Sequence, residues 1–178
     1  YHKYDSILVV PDAAQRTGDI AFYNHYQDSV KKYDQSILSA SNKIDYGLIQ
    51  NEINYEIWWL NRYRDWEWNP SIYNVSDMIA MVLDSKQSDI NARLRAIGHK
   101  LKNVPAYYKA AKENIKTPTI EHTDLAILQN QGCLSVFQLI KDSLAVSSLN
   151  ENEKKDILAA IEISTNAVHD FVKWLTND

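Results

Sequence analysis

Apolar residues recur three and four positions apart along almost the whole 178-residue chain, and that spacing admits little but helices. Phe22, Tyr26, Val30, Tyr33 and Ile37 mark one stripe, expected on a helix over about residues 19–39. Ile49, Ile53, Ile57 and Leu60 mark the next, over about residues 42–64, with Trp58 and Trp59 widening its apolar face. Ile90, Leu94, Ile97, Leu101 and Val104 form a third, and Ile157, Ile161, Val168, Phe171, Val172 and Leu175 close the chain with another. Only four Gly and four Pro interrupt the pattern, so long helices joined by short connections are expected.

End signals divide the stripes into elements. Asp12 is a candidate N-cap with Gln15 in the capping-box position, and Gly18 is expected to break that first turn. Residues 7–10 are apolar without a partner strand and read as an extended lead-in. Residues 65–75 form a break around Asn69 and Pro70. Ser76 or Asp77, then Ser88, then Thr119 are expected as N-caps, and Pro105 separates two helices. Gly132 interrupts a long helix that includes Leu125, Leu128, Val136, Leu139 and Ile140. Asn150 with Glu153 makes a second capping box at the start of the last helix. The reading is an all-α fold, a single helical domain over residues 1–178 with about six or seven helices. It ends in an antiparallel C-terminal helix hairpin, because the last connection is short.

Charge and composition exclude several classes of function. A net charge of −4 with no basic stripe argues against nucleic acid as a partner. No run approaches the roughly 20 apolar residues of a transmembrane segment. Cys133 is the single cysteine, so an internal disulfide is impossible and a small core residue is the simpler reading. The histidines at 2, 25, 99, 122 and 169 include no pair four apart, so no zinc-peptidase helix lies within the chain. Glycines at 18, 47, 98 and 132 are too scattered to cradle phosphate. A set of carboxylates assembled from distant helices would leave no local motif, and such an enzyme is one reading that sequence leaves open.

Residues 58–73 are the most distinctive passage, with four of the five tryptophans. The plain reading is an aromatic core at a helix end. The functional reading is a cleft wall in which Trp66, Trp68 and Tyr73 stack on sugar rings or peptide side chains while Arg64 or Arg62 pairs a carboxylate. On that reading the binding residues are Arg64, Trp66, Trp68 and Tyr73, and the chain is a stand-alone peptide- or glycan-binding module.

A further pattern runs through the whole chain. Pro11, Ala14, Gly18 and Asp19, then Asp28 and Ser29, then Asp45 and Tyr46, precede a cluster of Trp68, Asn69, Pro70 and Tyr73. Arg93 and Leu94, Pro105, Ala111, Asn114 and Pro118, and Thr123, Ala126, Gly132 and Phe137 follow, with residues 167–175 at the end. In order and spacing this resembles the bacterial family known as domain of unknown function 885; Gln15 departs from it, where the family usually has Thr. The resemblance implies a mostly helical parent about three times this length. It also implies kinship with gluzincin-like zinc metallopeptidases, through a His-Glu-x-x-His helix in the C-terminal half. No residue here matches that motif, so no cofactor is expected in this chain, and zinc is expected in the absent C-terminal half. The resemblance further implies a bacterial protein that is exported, periplasmic or lipid-anchored, a cytoplasmic one being the alternative. Tyr1 is not a natural start, and the end at Asp178 just after a helix suits an excerpt. The expected role is a non-catalytic N-terminal domain that walls or covers the cleft of a zinc-dependent peptidase. Its partners would be the C-terminal catalytic half of the same protein and a peptide substrate, with the Trp-rich turn facing the missing half.

Overall fold

The computed structural model describes residues 4–177; Tyr1, His2, Lys3 and Asp178 lie outside them. Among the described residues the chain is all-helical, with seven helices of nine residues or more: α1 (Ala13–Val30), α2 (Ala40–Trp58), α3 (Ser76–Asp84), α4 (Ile90–Leu101), α5 (Val104–Asn114), α6 (Ile120–Val146) and α7 (Glu151–Asn177). They fall into two compact units, residues 11–65 and residues 1–10 with 66–178, which are described separately.

The larger unit holds nearly all of the buried apolar residues. Helices α6 and α7 pack on each other across a four-residue connection as the expected antiparallel hairpin, and α4 and α5 lie against α7. Leu94, Ile97, Leu101 and Val104 meet Ile157, Ile161, Val168 and Phe171 in one core, so both stripes point inward as their spacing requires. Close approach of α4 to α7 needs a glycine: a Cβ at Gly98 would lie 2.9 Å from Cγ1 of Ile157. The Ser164 hydroxyl, fully buried on α7, donates to the Leu101 carbonyl at 3.0 Å and satisfies one of the carbonyls left open at the end of α4. The lead-in at residues 7–10 is extended and joins this unit: Leu8 is buried, and Asn103 Nδ2 donates to its carbonyl at 3.2 Å. Cys133 is wholly buried, and that burial pushes its thiol up to about 12.

The capping signals are partly as expected. The box at α7 is reciprocal: the Glu153 amide donates to Asn150 Oδ1 and the Asn150 amide to Glu153 Oε2, both at 3.0 Å. At α1 only half a box forms, since Asp12 Oδ1 accepts from the Gln15 amide at 2.8 Å while the Gln15 side chain reaches forward to Asp19. At α3 the N-cap position falls on Val75 instead of Ser76 or Asp77, and Asn74 just before it accepts from the Ser76 amide at 2.7 Å. Asp89 replaces Ser88 at α4, accepting from the amides of Asn91 and Ala92. In both places an Asx side chain reaches the first free amides, which the expected serine does not. Thr119 stands at the N-cap of α6, but its hydroxyl pairs with His122 Nδ1 at 2.6 Å instead of a backbone amide.

Neither Gly18 nor Gly132 breaks its helix; α1 runs through the first and α6 through the second. A helical glycine costs roughly 1 kcal/mol against Ala, too little to end a helix whose other residues favour it.

In the smaller unit, α1 and α2 pack as a hairpin. Gln27 Nε2 donates to Asn54 Oδ1 at 2.9 Å, and Tyr23 donates to the Glu56 carboxylate. Helix α1 ends at Val30, so Tyr33 and Ile37 fall outside it, on the connection to α2. The expected stripe of Phe22, Tyr26, Val30, Tyr33 and Ile37 is not a core face: Val30 is half-buried and the other four are exposed. Among residues 11–65, Ile53 is the only buried apolar side chain.

Candidate functional site

The Trp-rich passage spans both units: Arg64 belongs to the smaller, and Trp66, Trp68 and Tyr73 to the larger. Within the larger unit, residues 66–72 form a clasp. The turn Asp65–Trp68 and the 3-10 turn Pro70–Ile72 follow each other, with the Asn69 side chain accepting from the Ser71 amide at 3.1 Å. The Glu67 carbonyl accepts from the amides of Lys116 and Thr117 at 2.8 and 3.2 Å, and the Trp68 carbonyl from that of Thr119 at 3.2 Å. The Trp68 ring stands edge-on to His122, with centroids 5.3 Å apart. These bonds hold the α5–α6 joint, whose Pro118 cannot donate to a neighbour.

Tyr73 is a core residue and not a cleft wall; it is 1 % exposed. Its hydroxyl donates to the Trp66 carbonyl at 2.8 Å and accepts from Asn114 Nδ2 at 3.1 Å. The Tyr73 carbonyl accepts from Asn130 Nδ2 at 3.0 Å. Asn130, wholly buried on α6, also donates to the Ala126 carbonyl and accepts from the Tyr108 hydroxyl at 2.5 Å. Burial pushes the Tyr108 phenol far up, so it stays a donor. Asn114, Asn130, Tyr73 and Tyr108 are thus a closed polar network inside the core. Asn130 gave no sequence signal, because one polar residue on the inner face of a helix looks like a break in the stripe. An open cleft of about 370 Å³ lies beside this joint, lined by Ile115, Pro118, Ile120, Thr123, Asp124 and Trp174.

The solvent-facing aromatic residues are in the other unit. Beyond α2 the chain makes one π turn, Trp59–Tyr63, before Arg64 takes the left-handed conformation with φ 51°. The Arg64 amide donates to the Trp59 carbonyl at 2.9 Å, so this residue's backbone ends the helix. The wider turn gathers Tyr55, Trp58, Trp59 and Tyr63: Trp58 stacks on Tyr63 at 5.3 Å, and Trp59 lies 4.4 Å from Tyr63 and 5.4 Å from Tyr55. Tyr55, Trp58 and Tyr63 are 45, 48 and 37 % exposed. Rings held in this way present apolar faces and hydroxyl edges to whatever covers them. Desolvation, then the Glu56 and Asp65 carboxylates, raise the Tyr55 phenol, which keeps its proton.

Residues that could hold zinc do not gather here. Among the described residues no three His, Cys, Asp or Glu side chains come together, and His122 is turned toward Thr119 and Trp68. The residues present do not fit that metal. Three carboxylates are held below the ordinary range: Asp34 by the Ser36 hydroxyl, Asp89 by the Ala92 amide, Glu153 by Arg95. In these three that direction belongs to capping and pairing.

Likeness to known proteins decides the family. The model of the family described as "Bacterial protein of unknown function (DUF885)" matches residues 1–178. The chain belongs to this family. None of the curated proteins matches it. Among solved structures, this DUF885 chain is similar to "a putative lipoprotein of unknown function from Shewanella oneidensis", with a TM-score of 0.93 and 36 % identity. The match covers 97 % of this chain and 32 % of that one, so this DUF885 chain spans about a third of the solved relative's length. No helix among the described residues is long and apolar enough to cross a membrane.

Proposed function

We infer that this chain is the non-catalytic N-terminal helical region of an exported or lipid-anchored zinc-dependent peptidase. On this reading it walls or covers the cleft of a C-terminal catalytic half, which carries the zinc and cuts a peptide substrate. The observation that carries the reading is the match of 97 % of the chain, at a TM-score of 0.93, to about a third of a longer polypeptide described as "a putative lipoprotein of unknown function". A rigid helical layer is the kind of element that excludes water from a cleft and orients what enters it. The clasp at residues 66–72 and the Asn130 network serve that role by holding the α5–α6 joint and the core beneath it.

The test begins with the natural reading frame that encodes the chain. The frame is expected to continue into a His-Glu-x-x-His segment, and the purified product to hold one zinc and hydrolyse peptides. The 178-residue chain by itself is expected to do neither. Stoichiometric zinc or peptidase activity in the 178-residue chain would overturn the reading.

A further inference from the structure

Helix α2 is apolar on two opposite sides. At about 3.6 residues per turn, Ile49, Ile53 and Ile57 share one face, on which Ile53 is buried and Ile57 half-buried while Ile49 is 50 % exposed. Ile44, Leu48, Tyr55 and Trp58 share the opposite face, and they are 65, 64, 45 and 48 % exposed. A helix that is apolar all round belongs in an interior, with neighbours on both sides. Two pairs of large apolar side chains, Ile44 with Leu48 and Tyr55 with Trp58, separated by Asn51 on the same face, exceed the scattered singles of an ordinary surface.

We propose that the Ile44–Leu48–Tyr55–Trp58 face of α2 is a docking surface for the remaining two thirds of a family-length DUF885 polypeptide. This rests on the reading under Proposed function, and of the Trp-rich passage at residues 58–73 it keeps only Trp58 in the contact with the catalytic half, placing the rest of that contact on α2. Two observations choose this occupant. The solved relative contains about two thirds of a chain beyond the part matched here, which is polypeptide enough to cover the face. Residues 11–65 hold eight acids and six bases, a net of −2, so the surface suits an apolar protein face and does not attract anionic lipid or nucleic acid. The unit also lacks a core of its own beyond Ile53, which gives the hairpin a reason to need cover.

Thiol labelling tests the face directly: Cys133 is buried, and each protein without the added cysteine supplies the background rate. Leu48→Cys is introduced into the 178-residue chain and into the full natural gene product, and each is reacted with fluorescein maleimide. In the 178-residue chain the new thiol is expected to react close to its denatured-state rate. In the longer product it is expected to react at least about tenfold more slowly, as a covered site opens only by local fluctuation. Ile44→Cys repeats the measurement on the same face should Leu48→Cys misfold. Equal rates in the two proteins would overturn the proposal while leaving the reading of a longer parent intact. A gene product no larger than 20.5 kDa would overturn both. Protection that appears in the 178-residue chain and grows with its concentration would assign the face to a second copy and overturn the proposal.

Discussion

Asn130 shows how much one side chain holds in this fold. Its amide group donates to the Tyr73 and Ala126 carbonyls, and its oxygen accepts from Tyr108. Asn130→Ala strands the Tyr108 hydroxyl and the Tyr73 carbonyl in the core, and is expected to cost about 3 kcal/mol in urea denaturation. Two of the four mid-helix glycines give a paired contrast. A Cβ at Gly132 would meet nothing within 4 Å, so Gly132→Ala is expected to raise stability by about 1 kcal/mol, read as a higher melting temperature. Gly98→Ala pushes a methyl into Ile157 and is expected to lower stability by roughly 1–3 kcal/mol. Nothing in the sequence separates these two glycines. The difference depends on what lies across from each, and only Gly98 meets a side chain of α7. Tyr73 carries the same lesson: a tyrosine in a Trp-rich turn looks the same whether its hydroxyl meets a ligand or Asn114.

The helices themselves were legible because their signals are local. Stripes on α4 and α7 are buried where three- and four-residue spacing puts them, and the Asn150–Glu153 box needs no distant partner. Caps were misplaced by one or two residues at α3 and α4, where Asn74 and Asp89 compete with nearby serines for the same amides. Glu153 also pairs with Arg95 of α4 at 2.7 Å, which joins the cap to the next helix. This sets a pH dependence. The Glu153 carboxyl is lowered from 4.5 first by Arg95 and then by the Asn150 amide, so its folded value lies below its unfolded one. The stability it adds is therefore present above about pH 4.5 and is lost as pH falls through the lower folded value. Glu153→Gln keeps an acceptor for the Asn150 amide but loses the charge. Its melting temperature is expected to lie below that of the parent at pH 7, with the gap closing in acid. A gap that stays constant down to about pH 3 would mean that the pairing with Arg95 contributes nothing.

At the level of the whole molecule, the larger unit holds the core and the α1–α2 hairpin holds one buried apolar residue. Hydrogen exchange is expected to divide along the same line, with amides of α1 and α2 exchanging faster than those of α4, α6 and α7. Uniform protection across all seven helices would contradict that division. The sequence carries the apolar rows of α2 but not their occupancy, because periodicity marks which residues want cover and is silent about where the cover comes from. A chain matching a third of its solved relative makes that silence consequential. The lead-in at residues 7–10 adds one thing more. Leu8 shares its core with Ile161 and Phe171, and its carbonyl waits for Asn103, 95 positions later. On the ribosome these first residues emerge long before their partners exist, and the α1–α2 hairpin emerges in between with its greasy rows bare. Synthesis therefore passes through a stage in which the apolar rows of α1 and α2 are bare before the core shared by Leu8, Ile161 and Phe171 can close.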